Sequence, residues 1–196
     1  MSNKKKTYDC PTPRTEEEIR AVTIGELKPL SGRIPIMDYG PCWPDQFERE
    51  AERVRSLLGS RALRIEHAGS TSVPGLVAKP IIDLVLVVAA SADESAYMPA
   101  LEAVGYVLRI REPDRFEHRM FKGPDTNINL HVFSAGCSEI DRMLMFRDWL
   151  RGNADDRDLY ARTKVALAEK DWTYVQNYAD AKTAVIDEIM ARCLLG

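Results

Sequence analysis

The chain alternates between segments whose apolar residues recur with a helical period and segments that have a strand-like pattern. In 44–58 the apolar positions are spaced by 4, 3 and 4 residues, which predicts a helix that ends at Gly59. A short strand is predicted over 62–67, where apolar and polar residues roughly alternate. The run 80–90 is almost wholly apolar and contains one charged residue, Asp83, which predicts a central strand covered on both faces.

Two Ser/Thr-x-x-Glu pairs have the form of a capping box, in which the two side chains satisfy free backbone groups at the start of a helix. Thr15 with Glu18 predicts a short N-terminal helix. Ser91 with Glu94 predicts the start of a second helix, whose apolar positions continue to residue 104.

Three further strands are predicted in the middle of the chain. Extended segments are expected over 106–111, 116–122 and 128–133, and the turn sequence Gly-Pro-Asp at 123–125 separates the last two. This turn sequence is typical of a β-hairpin.

The C-terminal third of the chain has a helical period throughout. Apolar residues recur at helical spacing in three segments after residue 137, the last of them over 174–189. The predicted fold class is therefore α+β, a mixed β-sheet flanked by helices with a C-terminal helical part. We divide the chain into a partly flexible extension (1–25), a sheet core (26–136) and a helical part (137–196).

Composition and charge narrow the range of partners and compartments. The chain has 196 residues, with 27 Lys and Arg against 30 Asp and Glu, and a formal charge of −3. This balance does not favour nonspecific binding to nucleic acid or to an anionic membrane, so a local cluster of cations must hold any phosphate. The N-terminus lacks the apolar stretch of a secretory signal, and no apolar run approaches the ~20 residues of a spanning helix. We therefore expect a cytoplasmic protein without a membrane partner; the oligomeric state stays open.

A loop rich in small hydroxylated residues joins the two predicted strands on either side of residue 70. It begins at Gly69, where the absence of a Cβ lets a ligand approach the backbone, and continues with Ser70, Thr71 and Ser72. These hydroxyls and the backbone N–H groups are suited to bind phosphate oxygens, and Lys79 adds a positive charge. The same composition is also typical of an ordinary turn.

Asp83 follows this loop inside the most apolar strand of the chain. Burial of an ionised carboxylate is costly unless a cation, a basic side chain or hydrogen-bond donors compensate it. The loop is not a Walker loop, because Gly69 and Gly75 are one residue too far apart and no Lys-Ser/Thr pair follows. A triad of Ser70, His67 and Asp83 is disfavoured because no nucleophile elbow surrounds Ser70. We predict that Asp83 faces the loop and anchors a cation-bridged phosphate.

One long segment, HAGSTSVPGLVAKPIIDLVLVV (67–88), resembles the signature of the GrpB family in the nucleotidyltransferase superfamily. The resemblance extends to YGPCWP (39–44), NLHV (129–132) and FRDWLR (146–151). It implies a GrpB-like domain of nucleotidyltransferase fold over 26–196. In that superfamily the Gly-Ser loop binds a nucleoside triphosphate, and carboxylates hold divalent Mg²⁺ or Mn²⁺ for in-line displacement at phosphorus.

The chain departs from the superfamily pattern where further carboxylates are expected. The second acidic position, two residues after Asp83, is Val85, which cannot bind a metal ion. The third would fall on the strand 127–132, which carries His131 and no carboxylate. The resemblance thus leaves Asp83 and His131 as candidate catalytic residues and metal ligands, and Glu117 as the nearby carboxylate able to replace a missing ligand. His131 is open between a metal ligand, a general base and a hydrogen-bond partner of Asp83.

Three more cations are candidate nucleotide ligands. Arg119 lies on an alternating charged face that either binds phosphate or is an ordinary solvated sheet face. Tyr160 with Lys164 and Tyr178 with Lys182 are i, i+4 pairs on helix faces. In a nucleotidyltransferase-like arrangement the helical part closes one side of the cleft, so that these lysines reach a phosphate and a tyrosine packs on a base. The alternative is that each lysine covers its tyrosine at the surface.

Two functions of different classes follow from these residues. The first is metal-assisted nucleotidyl or phosphoryl transfer from a nucleoside triphosphate to an unknown small-molecule or protein acceptor. A nucleic acid acceptor is disfavoured because the one basic run is at 4–6. The second is a non-catalytic module that binds a nucleotide or another phosphorylated metabolite and has a degenerate metal site, which Val85 supports. A scaffold with a purely structural loop is a third, weaker option.

Overall fold

The structure is a computed structural model, and it describes residues 14–195. Residues 1–13, which include most of the predicted flexible extension, lie outside the described part. The helices and strands follow in the order α1 (Glu16–Val22), α2 (Trp43–Leu58), β1 (Arg64–Ala68), β2 (Ile82–Val88), α3 (Met98–Glu102), β3 (Val107–Glu112), β4 (His118–Lys122), β5 (Ile128–Ser134), α4 (Ser138–Gly152), α5 (Ala154–Ala168), α6 (Val175–Asp180) and α7 (Thr183–Cys193).

The five strands form one mixed sheet in the order β1-β2-β5-β4-β3. β2 and β5 are parallel, and the other neighbours are antiparallel. The register places Asp83 of β2 between Ala68 of β1 and Asn129 of β5, and it places Lys122 of β4 opposite Asn129. Asp83 therefore lies on an interior strand, at the end of the sheet where β1 continues into the Gly-Ser loop (69–72).

Different helices cover the two faces of the sheet. Leu84 and Leu86 of β2 pack into the main core with α2 and α3. Val85 and Val87 point to the other face, where they pack against α4. Because successive strand residues point to opposite faces, Asp83 shares the face of α4. The sequence prediction of a central strand covered on both faces is confirmed.

The C-terminal helices hold the Gly-Ser loop in place. Val73 and Leu76 of the loop region pack in one apolar cluster with Leu150 of α4, Tyr160 of α5 and Ile189 of α7. The helical part and the loop therefore share a core, which places α5 and α7 next to Asp83. None of the helices between residues 14 and 195 is long and apolar enough to cross a bilayer.

The predicted α+β fold class is confirmed, and the two predicted capping boxes have different outcomes. At α1, Thr15 Oγ1 accepts a hydrogen bond from the Glu18 backbone N–H, and the Glu18 carboxylate accepts one from the Thr15 N–H. Ser91 caps no helix, because its hydroxyl donates to the Glu117 carbonyl and its backbone N–H donates to the Ser134 hydroxyl. These tertiary hydrogen bonds hold Ser91 away from a helix start, and α3 begins only at Met98.

The single helix predicted over 174–189 is two helices, α6 and α7, with Lys182 at the N-cap of the second. The apolar spacing continues across the break, so the hydrophobic pattern does not reveal it. The break matters because it places the Lys182 side chain above Tyr178, on the side of the Asp83 site.

Candidate functional site

The carboxylate of Asp83 lies where the end of β1 and the starts of β2 and β5 meet. Its side chain is 27% exposed, so it is partly buried but open to a ligand. Oδ1 accepts a hydrogen bond from Asn129 Nδ2 at 2.7 Å and lies 3.6 Å from His131 Nε2. Burial opposes ionisation, but the polar groups of His131 and Asn129 and the charge of Lys79 hold the pKa of Asp83 below its ordinary value. Asp83 is therefore a carboxylate at neutral pH.

Gly69 brings the loop backbone into direct contact with this carboxylate. Its φ of +66° and ψ of −171° lie in a region that is essentially restricted to glycine. A Cβ on residue 69 would overlap Asp83 Oδ2. The loop and Asp83 are thus adjacent, as the sequence predicts, and only a glycine fits between them.

The three hydroxyls that follow Gly69 differ in what they contact. Thr71 is buried and its Oγ1 lies 3.0 Å from His67 Nε2, while the buried Ser72 hydroxyl donates to the Gly69 carbonyl. Ser70 lines a cavity instead, beside the phenol of Tyr160. The Thr71 and Ser72 side chains therefore stabilise the turn. Of the three hydroxyls, that of Ser70 is the one at a cavity that a ligand could enter.

Three lysines from separate segments surround the carboxylate of β2. The Nζ atoms of Lys79, from the loop, and Lys182, at the start of α7, lie over the ring of Tyr178, 5.6 Å and 4.8 Å from its centre. Lys164 of α5 lies 5.3 Å from the centre of the Tyr160 ring, and its Nζ donates to the Val77 carbonyl. Each ammonium group is thus stabilised by a cation–π interaction with the face of a tyrosine ring.

These lysines form a region of amines without a paired carboxylate, in which Lys164 becomes fully charged at pH 7 only when an anion enters. Burial and repulsion by neighbouring lysines lower the pKa of Lys79 to about 8 and that of Lys164 to about 6; burial likewise lowers the pKa of Lys182. The carboxylate of Asp83 partly opposes each shift. Among residues 14–195, no ion pair joins any of the three to an Asp or Glu. Such a region is suited to bind a polyanion.

The sequence analysis missed a fourth lysine, Lys122. It lies on β4 opposite Asn129, which in turn pairs with Asp83 on β2. Burial lowers the pKa of Lys122, and the Asp83 charge opposes that shift. The signal for it is its position directly before the turn at 123–125, which sets it beside the start of β5.

The sequence analysis also missed a row of hydrogen-bonded side chains that extends from His131 to Arg14. His131 Nδ1 lies 2.9 Å from His118 Nε2, and His118 Nδ1 lies 2.7 Å from Glu112 Oε2. Glu112 Oε1 accepts a hydrogen bond from Arg14 Nη1 at 2.8 Å. Burial lowers the pKa of His118, so this imidazole is neutral at pH 7, whereas its hydrogen bond and the nearby positive charges keep the pKa of Glu112 below the ordinary value despite burial. In the structure, Glu112 and His118 flank the turn at 113–117 that joins β3 and β4, part of which was predicted to be a strand.

The atoms at this site fit a divalent cation only in part. Asp83 Oδ1 and His131 Nε2 are two potential metal-ligand atoms on the same side of the site. The buried Asn129 Oδ1 has no hydrogen-bond partner among the described residues. Between residues 14 and 195 no group of three or more His, Cys, Asp or Glu side chains is arranged to hold a metal. The donor set therefore fits Mg²⁺ or Mn²⁺ whose remaining ligands are phosphate oxygens and water, and the imidazole favours Mn²⁺.

Two predicted ligands do not reach this site. Glu117 lies in the exposed turn before β4, five residues from Lys122, which is roughly 16 Å along the strand direction. Arg119 points to the opposite face of the sheet together with Phe121, where it is buried and pairs with Glu94. The predicted strand began too early, and Arg119 pairs within the fold, so neither residue contributes to the Asp83 site.

Two further residues of the loop and strand have structural roles. His67 points to the face of α2 and stacks on Phe47 at a ring distance of 4.7 Å, so it cannot form a triad with Ser70 and Asp83. Val85 shares the face of Asp83 but is fully buried against α4. A core side chain thus occupies the position at which the resemblance to nucleotidyltransferases implied a second carboxylate.

A cavity of about 160 Å³ opens beside Ser70, between the loop and helices α4, α5 and α7. Most of its walls are apolar, and Phe146 and Tyr160 meet there edge to face at 5.1 Å. The cavity gives space for a neutral, apolar or aromatic part of a ligand next to the Gly-Ser turn.

Comparison with known proteins gives consistent matches over most of the chain. A family model described as GrpB protein matches residues 33–192. A UPF0157 protein of Halalkalibacterium halodurans is 66% identical over 181 residues, which cover 92% of this chain and 93% of that protein. The crystal structure of the conserved protein GrpB from Enterococcus faecalis superposes with a TM-score of 0.72 at 31% identity, over 82% of this chain and 97% of that chain.

A more distant match concerns the fold alone. A crystal structure of the Cid1 poly(U) polymerase with Mg 3′-dATP bound has a TM-score of 0.53 at 10% identity, and the match covers 74% of this chain and 49% of that chain. The mixed sheet with its flanking helices is accordingly a nucleotidyltransferase-like fold.

Proposed function

This chain belongs to the GrpB family, and from that membership and the Asp83 site we propose that it binds a nucleoside triphosphate together with one divalent cation. We further propose that it transfers a nucleotidyl or phosphoryl group from that nucleotide to a small-molecule or protein acceptor. The site residues assigned to this function are Gly69, Ser70, Lys79, Asp83, Lys122, His131, Lys164 and Lys182.

The convergence of three lysines, of which Lys164 is buried and Lys79 and Lys182 are partly buried, carries the proposal. Lys79, Lys164 and Lys182 come from a loop and two different helices. Each ammonium group lies over a tyrosine ring and is close enough to Asp83 for the carboxylate charge to affect its pKa. Burying cations beside one another destabilises the free protein, as the lowered pKa values indicate. Such an arrangement is explained by an anion of several charges that enters the site, and a triphosphate supplies those charges.

Each residue has a role that its geometry permits. The Ser70 hydroxyl and the first N–H groups of its turn, which have no partner within the turn, donate to phosphate oxygens. The lysines neutralise the polyphosphate. Asp83, with Asn129 and His131 beside it, would hold the cation on the opposite side of the phosphates.

In nucleotidyl transfer, an oxygen of the acceptor forms a bond to the α-phosphorus while the bond to the bridging oxygen breaks and pyrophosphate leaves. The lysines stabilise the negative charge that grows on this leaving group. A cation bound at Asp83 supplies Lewis-acid stabilisation of the phosphate oxygens. His131 Nε2 faces the same space and either holds the cation or accepts the proton that the acceptor releases.

A second candidate is a binding module that performs no chemistry. Val85 favours it, because a buried valine stands where the superfamily has a second metal-binding carboxylate. A site with one carboxylate is able to bind a nucleotide through its lysines without positioning two metal ions for transfer.

Calorimetry with ATP, GTP, CTP and UTP, each with and without Mn²⁺, tests the proposal. We expect at least one nucleotide to bind, with an affinity at least about tenfold higher when Mn²⁺ is present, and to release pyrophosphate (nucleotidyl transfer) or a nucleoside diphosphate (phosphoryl transfer) when acceptors are supplied. At 100 times the dissociation constant, the bound nucleotide should stabilise the fold by about 2.7 kcal/mol. Binding that is independent of Mn²⁺ and gives no product would identify the module. Absence of binding of any nucleotide would refute the transfer function and a nucleotide-binding module.

Replacing Lys164 by Met is expected to stabilise the protein while it weakens nucleotide binding about 10- to 100-fold. A lysine in the unfolded chain has a pKa of about 10.4, whereas the pKa of Lys164 in the fold is about 6. The unfolded state therefore binds more protons, and the penalty is full below pH 6 and disappears as pH rises toward 10. The gain in melting temperature, roughly 2–8 °C, should be largest near pH 6 and shrink at alkaline pH.

The matched control is Lys170→Met, which removes an exposed lysine just beyond the end of α5. It should change neither the melting temperature nor the affinity for nucleotide. A Lys164→Met variant that is less stable than the wild type, or whose advantage grows with pH, would contradict the assignment of a buried, uncompensated amine.

A further inference from the structure

The apolar cavity beside Ser70 has no assigned role in the function proposed above. Its walls come from the Gly-Ser loop and from helices α4, α5 and α7. Gly69 forms part of the wall, and it also contacts the Asp83 carboxylate, where an added Cβ would overlap Oδ2. A molecule in the cavity is therefore separated from the carboxylate by a single residue without a side chain.

The two charged side chains that line the cavity are already paired. Arg142 Nε and Nη2 donate to the two carboxylate oxygens of Glu139, both at 2.9 Å. Arg147 donates to both oxygens of Asp148 and to one of Glu66. The guanidinium groups thus offer the cavity little beyond their aliphatic stems. The cavity is suited to a neutral group, and neither to a phosphate nor to a second cation.

The size of the cavity corresponds to one small apolar group. Its volume is about 160 Å³, and an engineered apolar cavity of about 150 Å³ in another protein binds benzene. The rings of Phe146 and Tyr160 meet edge to face in its wall, with centres 5.1 Å apart. These rings give a third ring the edge and face contacts that aromatic groups favour.

A nucleobase is a poor occupant of this space. Each base carries several donors and acceptors along its edges, and buried polar groups without partners cost free energy. Among the uncharged side chains of the wall, those of Ser70 and Tyr160 have a hydroxyl, and the others are apolar or glycine. Most polar groups of a base would therefore be buried without a partner, whereas an apolar group has no such requirement.

The surroundings of the cavity also select against a positively charged molecule. Lys79, Lys164 and Lys182 lie on the side of the Asp83 carboxylate, and no carboxylate among residues 14–195 forms an ion pair with any of them. A ligand that brings another positive charge to this side is repelled. The occupant is thus neutral in the part that meets the lysines as well as in the part that fills the cavity.

We propose that this cavity binds the apolar part of the acceptor, a neutral small-molecule alcohol with one ring or a short branched chain next to its hydroxyl. The inference rests on the function proposed above, because it names the class of molecule that receives the transferred group. The hydroxyl then points past Gly69 toward the phosphates of the nucleotide.

The transfer step follows from this position. The oxygen of the alcohol forms a bond to phosphorus while the bond from that phosphorus to the bridging oxygen breaks. Pyrophosphate leaves in nucleotidyl transfer, and a nucleoside diphosphate leaves in phosphoryl transfer. The proton of the hydroxyl passes to water. Holding the alcohol in the cavity makes this step effectively unimolecular, which is a large part of what a positioned acceptor contributes.

Titration of the full chain with para-fluorobenzyl alcohol, followed by ¹⁹F NMR, tests the cavity without any nucleotide. We expect the alcohol to bind, and para-fluorobenzylamine, which is positively charged at pH 7, to bind at least about tenfold more weakly. Addition of Mn²⁺ and the nucleotide that binds most tightly should leave the alcohol bound, because the two ligands occupy separate space.

Two substitutions on α4 form a matched pair. Met143 lines the cavity, so Met143→Trp places a second ring in the space of the ligand and should weaken alcohol binding about 10- to 100-fold. Met145 lies on the same helix but is 39% exposed and outside the cavity. Met145→Trp makes the same chemical change and should retain wild-type binding of the alcohol and of the nucleotide.

A variant that enlarges the cavity keeps the test valid if Met143→Trp does not fold. Phe146→Ala removes a ring from the wall, so an alcohol with two fused rings, naphthylmethanol, should bind at least about tenfold more tightly than it binds the wild type. Thermal unfolding confirms that each variant is folded before its binding is compared.

Product release tests the acceptor role itself. With Mn²⁺ and nucleotide present, the fluorobenzyl alcohol should raise the release of pyrophosphate or of nucleoside diphosphate at least about tenfold. In Met143→Trp the KM for the alcohol should rise more than the dissociation constant of the nucleotide.

The proposal fails if the wild type does not bind the alcohol, or if folded Met143→Trp binds it as tightly as the wild type and Phe146→Ala does not admit naphthylmethanol. It also fails if the nucleotide displaces the alcohol, because the cavity then holds the base, or if the bound alcohol leaves product release unchanged. In each case nucleotide and Mn²⁺ can still bind, so the proposed function stands apart from this failure. Alcohol binding that follows the variants in a chain that binds no nucleotide overturns the acceptor role together with the transfer function.

Discussion

Asp83→Asn is expected to abolish metal-dependent nucleotide binding and to reduce any transfer by roughly 1,000-fold, because loss of metal-assisted charge stabilisation is worth several kcal/mol. Asn keeps the shape of the side chain and its contact with Gly69, so the geometry of the turn is retained. The charge of this carboxylate also raises the pKa of Lys79, Lys164 and Lys182, in opposition to burial. Since the side chain is partly exposed and solvent screens it, we expect a loss of about 1 kcal/mol, or roughly 2–4 °C in melting temperature.

Calorimetry with Mn²⁺ and the tightest nucleotide measures the first effect, and thermal unfolding measures the second. Asp125→Asn is the control, because it removes an exposed carboxylate that pairs with Arg53 far from the site. If Asp83→Asn binds the nucleotide with unchanged affinity and unchanged dependence on Mn²⁺, Asp83 is not a ligand of the cation. Unchanged binding without Mn²⁺ dependence, in both the variant and the wild type, would favour the binding module.

Gly69→Ala should have the largest effect on stability. Any Cβ at residue 69 pays for a backbone conformation that is nearly restricted to glycine, about 1–3 kcal/mol. It also overlaps the Asp83 carboxylate, and such overpacking costs about 1–3 kcal/mol more. We expect a loss of roughly 2–5 kcal/mol, a melting temperature lower by roughly 5–15 °C, and loss of nucleotide binding.

Two comparisons separate the strain from the overlap. Gly75 lies in the same loop with a φ of +79° and has no atom within 4 Å of an added Cβ, so Gly75→Ala should show the strain alone, about 1–2 kcal/mol. In the double variant Gly69→Ala/Asp83→Ala the overlap is relieved, so its loss should be smaller than the sum of the single losses. Additive losses, together with equal costs at 69 and 75, would show that the contact between the loop and the carboxylate has no energetic weight.

The sequence predicted much of the fold because the main elements have strong local periodicity. The helix 44–58 and the central strand at 80–90 are present with nearly the predicted bounds, and the C-terminal part is helical as predicted. The errors lie where tertiary contacts override local signals. Ser91 has the form of a cap but forms hydrogen bonds with other parts of the chain, and the break before α7 interrupts an unbroken apolar pattern.

The part of the candidate site that lies within one continuous segment of the chain was predictable from the sequence. Gly69, Ser70 and Asp83 belong to one strand–loop–strand unit, so their proximity follows from local connectivity. Arg119 was assigned to the wrong face, because alternation along a strand shows which residues share a face but not which face meets the ligand. Glu112 and Lys122 were missed, because their positions depend on the pairing of β4 with β3 and β5.

The sequence by itself determined that this protein has a mixed sheet, a Gly-Ser turn and one acidic side chain in an apolar strand, since each of these depends on neighbouring residues. The tertiary structure alone decided which groups surround that acid. Strand pairing and helix packing bring together lysines from a loop, β4, α5 and α7 and a histidine row that ends at Arg14. The last link of that row, Arg14 to Glu112, joins residues 98 positions apart. Local patterns carry no record of such pairings, because hydrophobic burial and sheet register act over the whole chain.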